Sequence, residues 1–273
     1  MRASGDSDCK KRESNRNQKS GGKGNCSGGR GKLYVIGIGP GDLEHMSRKA
    51  YRMVQKTDVV VGYRTYVDLL EEVISSDQEI FSTGMKGEVE RAEKAIEFSG
   101  NGKDVAVVSS GDPGVYGMAG LIVELVEKRG LGIEPKIVPG ITSASAAAAS
   151  LGAPLTNDFA AVSLSDLLTP WKKIKERLAG AAEGDFVTAL YNPRSKKRKE
   201  QIEIARKIFL RHRNPKTPVG IVRSAKRGKE EKTIVVLDTM LEPEIDMLTT
   251  VIIGNSRTYV AGDTMVTPRG YEL

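Results

Sequence analysis

Along this chain, short unbroken apolar runs that end in glycine alternate with longer stretches in which apolar residues recur at helical spacing. The first run, Leu33-Tyr34-Val35-Ile36, is closed by Gly37 and reads as a buried strand. Leu43, Met46, Ala50, Met53 and Val54 then fall on one face of a helix, with Asp42 placed where an N-cap belongs. Asp58-Val59-Val60-Val61-Gly62 is a second strand, rich in β-branched residues, and a weaker third ends at Phe81. From Lys86 to Phe98 the spacing predicts a charged amphipathic helix, followed by a strand at Val105-Ala106-Val107-Val108 and a helix from Leu121 to Lys128. Ile141 to Ser150 is a helix of small residues suited to close packing, and Leu151-Gly152-Ala153-Pro154 breaks it.

Past this break the rhythm tightens. Strands are expected at 186–190, 219–222, 233–237 and 251–253, with helices at about 171–181 and 195–211. Strands alternating with helices in the first half imply a mostly parallel sheet covered on both faces, with ligands held at the carboxyl ends of its strands. The closer strands of the second half suggest a mixed sheet. The expectation is an α/β protein of two lobes, 33–155 and 156–273, with a ligand cleft between them and no internal repeat.

Residues 1–32 are Gly, Ser, Asn, Lys and Arg with almost nothing large and apolar, so they are expected to be a disordered basic tail. This stretch also changes the meaning of the net charge of +7. It holds nine Lys and Arg against three Asp and Glu, which leaves about +1 for the rest. No stripe suited to a nucleic-acid backbone remains, and 5% aromatic residues offer little for base stacking. Cys9 and Cys26 both lie in the tail, which fits a reducing, cytoplasmic setting. No apolar run approaches the roughly 20 residues of a membrane span. With only His45 and His212, a multi-histidine metal site is excluded and Ser-His-Asp chemistry is disfavoured, so no metal is expected.

Candidate chemistry sits in the turns. Gly37-Ile38-Gly39-Pro40-Gly41-Asp42 joins a strand to a helix start, the arrangement that favours anions. Yet Asp42 stands where the dinucleotide fingerprint needs its third glycine, and no Gly-Lys-Ser/Thr follows to make a phosphate loop. Asp42 either caps the helix or faces a neutral or cationic group. Ser110-Gly111-Asp112-Pro113-Gly114-Val115-Tyr116 lets backbone approach a ligand, since glycine removes the Cβ barrier and Pro113 stiffens the loop. Pro139-Gly140-Ile141-Thr142-Ser143 places two hydroxyls at a helix start, for capping or for a ligand. Two basic turns, Tyr191-Asn192-Pro193-Arg194 through Arg198 and Arg223-Ser224-Ala225-Lys226-Arg227, each follow a strand end and suit an anionic substrate. These residues alone leave open a nicotinamide-dependent dehydrogenase and a non-catalytic anion-binding module.

In their order and spacing, Gly37–Asp42, Ser110–Tyr116, Pro139–Ser143 and Tyr191–Arg194 resemble the tetrapyrrole methylases, which use S-adenosylmethionine. The stretch from Asn157 to Trp171 and the ending Thr267-Pro268-Arg269-Gly270-Tyr271 are similar to the precorrin-3B C17-methyltransferase branch. The resemblance runs from about Lys32 to Leu273 and implies two α/β lobes, usually in a homodimer. It implies methylation of C17 of a precorrin-3B or cobalt-precorrin-3B macrocycle with ring contraction, in cobalamin biosynthesis; methylation at another precorrin position is the alternative.

Carried over, Pro40, Ser110, Gly111, Asp112, Val115, Thr142 and Ser143 would contact the cofactor, and Tyr191, Asn192 and Ala225 would complete its pocket. Arg64, Lys86, Arg194 and Arg223 are the cations expected around the substrate's carboxylates. Asp42, Lys86 and Tyr63 are candidates for the proton movements of ring contraction. Where the uroporphyrinogen methylases place an acidic residue after the second strand, this chain has Gly62-Tyr63-Arg64.

Overall fold

The computed structural model describes residues 29–272. What was expected of residues 1–28, Cys9 and Cys26 included, lies outside them. The composition places residues 30–32 in the tail, but here the structure differs. Gly31 N–H donates to the Ser99 carbonyl at 2.9 Å, and Lys32 N–H to Asp104 Oδ1 at 2.7 Å. The elements run β1 Leu33–Gly37, α1 Arg48–Lys56, β2 Val59–Tyr63, α2 Arg64–Asp68, β3 Glu79–Thr83, α3 Glu88–Gly100, β4 Val105–Ser109, α4 Ala119–Lys128 and β5 Lys136–Val138. There follow α5 Ser143–Leu151, β6 Gly152–Ala153, β7 Phe159–Ser163, α6 Trp171–Glu183, β8 Val187–Tyr191, α7 Gln201–Phe209, β9 Pro218–Arg223, β10 Glu231–Val236, β11 Thr249–Ile253, β12 Tyr259–Ala261 and β13 Thr264–Val266.

The first sheet has the order β3-β2-β4-β1-β5, and every pairing in it is parallel. Its strands are apolar at consecutive positions because both faces are covered. Val35, Val59, Val61, Val105 and Val107 meet Ala92 and Ala95 of α3 and Ile122 of α4. On the other face Ile36, Val60, Ala106 and Val108 meet Ala50 and Val54 of α1, together with Leu70. The second sheet, β10-β9-β11-β8-β7, is mixed: only β7 and β8 are parallel. One of its faces packs Leu190, Ile221 and Val251 against Ile174 and Leu178 of α6 and Phe209 of α7.

Its other face receives α5. Ala144, Ala147 and Leu151 pack on Val187, Ala189, Val222 and Ile252, and a Cβ on Gly220 of β9 would come within 2.3 Å of Leu151. A boundary at 150–158 assigns α5 to the first lobe, whereas its packing places it on the second sheet. The chain changes sheets just before α5.

Two expected helices start late. Residues 43–45 form a single 3-10 turn, and α1 is capped by Ser47, whose Oγ accepts from Ala50 N–H at 3.1 Å. Asp42 makes no side-chain capping bond. Helix α7 begins at Gln201 rather than Ser195, because Ser195 and Arg198 close a tight turn and Arg198 is buried. Among the described residues, no helix is long and apolar enough to cross a membrane.

Candidate functional site

Three glycine turns at the carboxyl ends of β1 and β4 and just after β5 interlock through their backbones. Gly39 and Gly111 exchange two hydrogen bonds, 3.2 and 2.7 Å, in an isolated bridge. Behind it there is no room for side chains: a Cβ on Gly37 would lie 2.6 Å from the Gly111 carbonyl oxygen, and one on Gly140 only 2.2 Å from that atom. Asp112 fastens the third turn to the second. Its Oδ1 accepts from Gly114 N–H at 2.8 Å and its Oδ2 from Gly140 N–H at 3.0 Å. Gly111 itself is different, with φ at +67° and nothing nearer than 3.6 Å where a Cβ would stand. Although Gly111 is buried, its Cα faces the cavity with space beside it that a side chain would fill.

The second sheet supplies the opposite wall. The hydroxyl of Tyr191, the last residue of β8, lies 2.6 Å from Thr142 Oγ1 and accepts from Ala144 N–H at 3.1 Å. The Thr142 hydroxyl, read as a cap or a ligand group, is thus engaged by Tyr191. Removing the Tyr191 hydroxyl by Tyr191→Phe should strand the Ala144 N–H at the start of α5 and cost about 1–3 kcal/mol of stability, measured by denaturant titration. A shift under a few tenths of a kcal/mol would mean that this tie is dispensable.

Asn192 follows with φ at +50°, its side chain donating to Ser163 Oγ at 3.0 Å and its carbonyl accepting from buried Arg198 at 2.9 Å. Tyr116 crosses from the other side. It is 55% exposed, its ring centre lies 5.1 Å from that of Tyr191, and its hydroxyl accepts from Ser163 N–H at 3.1 Å while donating to the Ala161 carbonyl at 2.9 Å. Partial desolvation of its ring raises the Tyr116 phenol above its ordinary pKa, so the hydroxyl keeps its proton.

Between these walls lies a cavity of about 190 Å³. Pro40, Ser110, Gly111, Asp112, Val115, Thr142, Ser143, Tyr191, Asn192 and Ala225 all border it. So do Tyr66, Tyr116, Ser224, Arg227 and the stretch from Met247 to Thr250, which the sequence did not single out as cavity residues. Tyr116 and Arg227 are the last residues of the turns Ser110–Tyr116 and Arg223–Arg227. Tyr66 and Met247–Thr250 carry no turn signature, and only the pairing of β11 with β9 brings the latter alongside.

The remaining candidates do not border the cavity. Asp42 turns to the other half: its N–H donates to the Lys226 carbonyl at 3.0 Å and its Oδ1 receives Gly228 N–H at 3.4 Å. Tyr63 packs edge-on against Tyr66 at 5.1 Å. Lys86 is exposed in the turn before α3, and Arg64 is exposed on α2. Arg194 is half-buried in the turn after β8. Arg223 is committed to Asp246 at 2.9 Å and lies 3.7 Å from Glu231, so it is not a free cation. Partial burial alone would raise the pKa of Asp246, but Arg223, the Leu248 N–H and the Thr249 hydroxyl outweigh it and hold the carboxyl below its ordinary range.

A backbone-lined cavity at strand ends, walled by a parallel and a mixed sheet, defines an α/β enzyme that handles a small organic ligand. The chain belongs to the tetrapyrrole (corrin/porphyrin) methylases, whose family model matches residues 32–240. It is 49% identical over 247 residues to the cobalt-factor III methyltransferase of Priestia megaterium, covering 89% of this chain and 46% of that protein. It thus spans about half the length of that relative. It is 47% identical to a probable cobalt-factor III C(17)-methyltransferase of Salmonella typhimurium, over 88% of this chain and 100% of the other. Among solved structures, the methyltransferase CobJ superposes with a TM-score of 0.83 at 36% identity, over 87% of this chain and 100% of that one. The uroporphyrin-III C-methyltransferase of Thermus thermophilus, complexed with S-adenosyl homocysteine, gives 0.63 at 26%, over 82% and 97%.

Proposed function

We propose that this chain transfers a methyl group from S-adenosylmethionine to C17 of cobalt-factor III, with contraction of the macrocycle, in cobalamin biosynthesis. The observation that carries this reading is the convergence of ten turn residues, from both sheets, on one cavity. The cofactor, when bound, supplies an electrophilic methyl on a sulfonium. The chain's own part is to hold and orient. Gly111 offers backbone without side-chain bulk, Pro40 a rigid ring, Ser143 a hydroxyl and Thr142 one shared with Tyr191, and Asp112 places a negative charge beside a cationic ligand. Orientation of reacting groups is worth on the order of 7–11 kcal/mol in favourable cases, so a site without a histidine or cysteine nucleophile suffices. The names of the full-length relatives favour the cobalt-bearing substrate over precorrin-3B.

The two halves would act as lobes on either side of the cavity, meeting just before α5. Asp42 bridges the halves, and the proton movements of ring contraction stay proposed for Tyr63 and Lys86, which lie outside the cavity lining and would have to meet the macrocycle beyond it. A homodimer in the cytoplasm goes with this reading. The half-exposed Tyr259 and Val260 of β12 share a cleft with Ile234 to Val236 of the edge strand β10 and offer a surface for a second copy, and a light-scattering mass of one chain would remove the dimer.

The test is anaerobic turnover of cobalt-factor III with isotopically labelled S-adenosylmethionine. The expected product carries one labelled methyl at C17 by NMR. A label at another ring position would shift the reading to a sister methylase. Thermal stabilisation by NAD in place of S-adenosyl homocysteine would overturn it.

A further inference from the structure

Among the described residues, one cation borders the cavity, and it is not one of the four that the sequence suggested. In the turn after β9, Ser224, Lys226 and Gly228 have φ of +52°, +50° and +58°. Between them, Ala225 and Arg227 border the cavity while Lys226 does not. The charges in this turn have separate partners. Arg223 pairs with Asp246 at 2.9 Å. Lys226 lies 3.9 Å from Glu230, whose carboxylate also accepts the Lys226 N–H at 2.7 Å. Arg227 makes no ion pair among the described residues.

The first glycine turn is shaped around this arginine. Gly41 has φ at +152°, and a Cβ there would fall 2.5 Å from Arg227 Cγ and 2.8 Å from its Cβ and Cδ. The stem of Arg227 lies where any other residue at 41 would put its side chain. The two hydrogen bonds from Asp42 to the 226–228 turn brace this contact from behind. Beside Arg227 the cavity is bordered by Tyr66, whose phenol burial keeps protonated despite the nearby positive charge of Arg227. A guanidinium and a phenolic donor thus stand together at the cavity edge, with no acceptor for the guanidinium among the described residues.

We propose that Arg227, its stem seated on Gly41 and Tyr66 beside it, is the specificity-determining cation that holds a peripheral carboxylate of the macrocycle. The inference rests on the methylase reading above and deepens it, since a tetrapyrrole bearing acetate and propionate groups needs a fixed charge to set which ring carbon faces the methyl donor.

Full-length wild type and the variants R227Q, R227K and K229Q are titrated with cobalt-factor III by absorbance, with S-adenosyl homocysteine present. Cofactor affinity is measured by calorimetry. R227Q should weaken macrocycle binding by about tenfold or more, and turnover should show this in KM more than in kcat. R227K should recover part of the loss. K229Q removes an exposed cation from the same turn and should bind as wild type does. Cofactor affinity close to wild type in R227Q shows that the fold is intact. Macrocycle binding by R227Q equal to wild type overturns the role of Arg227 alone, as does an equal loss in K229Q. Failure of wild type to bind cobalt-factor III overturns the methylase reading with it.

Discussion

Gly140→Ala is expected to abolish measurable binding of S-adenosyl homocysteine and to destabilise the protein. Its added methyl would sit 2.2 Å from the Gly111 carbonyl oxygen and 2.8 Å from the Gly37 carbonyl carbon, both backbone atoms that no rotamer change can move. The turns must separate. That breaks the Asp112 bond to Gly140 N–H and the register that sets the cavity wall. Overpacking of this kind costs about 1–3 kcal/mol, at times more, and a displacement of an ångström at a binding wall is enough to lose most affinity. Gly120→Ala is the matched control, since its Cβ would meet nothing within 4 Å in helix α4, and it should be neutral or stabilising by about 0.5–1 kcal/mol. Calorimetry and denaturant titration read both variants. Cofactor affinity in Gly140→Ala within threefold of wild type would mean that the interlock does not shape the site.

Arg213→Met should have the larger effect on stability and almost none on cofactor affinity. Arg213 is buried at the far end of β8 from the cavity, stacked over Phe209 with 5.2 Å between guanidinium carbon and ring centre. It donates to the Gly254, Ala181 and Phe186 carbonyls, the last at 2.7 Å, and its Nε lies 3.7 Å from Asp185. Methionine keeps the apolar stem, and Ala181 and Phe186 keep other donors for their carbonyls in the Phe186 N–H and the Thr188 hydroxyl, so the cost is about 1–3 kcal/mol for the Gly254 carbonyl, with the lost stacking on Phe209 and the lost contact to Asp185 added. The expected loss is about 3 kcal/mol in denaturant titration, with unaltered S-adenosyl homocysteine affinity at a temperature where the variant is folded. A loss below about 1 kcal/mol would show that water takes over the arginine's bonds.

Much of this was legible because parallel strands covered on both faces leave unmistakable apolar runs. Val59-Val60-Val61 and Val105-Ala106-Val107-Val108 are such runs, and the glycine turns that follow strands belong at one end of a sheet on the pattern alone. What escaped was short or compensated at a distance. Strand β5 has three residues, two of them exposed, and β6, β12 and β13 are no longer, so periodicity has nothing to act on. The start of α7 was misplaced because Lys196, Lys197 and Arg198 look like one solvated face, whereas Arg198 turns inward to hold Asn192. Of the cations expected around the substrate, Arg223 proves to be paired for a similar reason. The sequence displays the charge of Arg223 but not Asp246, twenty-three positions away, which neutralises it. Asp42 looked like a cap because it precedes a helical pattern, yet its partners at 226 and 228 belong to the other half.

The bond from Tyr116 to the second sheet has a consequence outside ligand binding. Strand β7 is an outer strand, so the carbonyl of Ala161 and the N–H of Ser163 point away from β8, in the position where another chain could add a strand. The Tyr116 hydroxyl occupies both groups at once. A loop that borders the cavity therefore also plugs a sheet edge, and the protein's resistance to edge-to-edge aggregation depends on how firmly that loop is held.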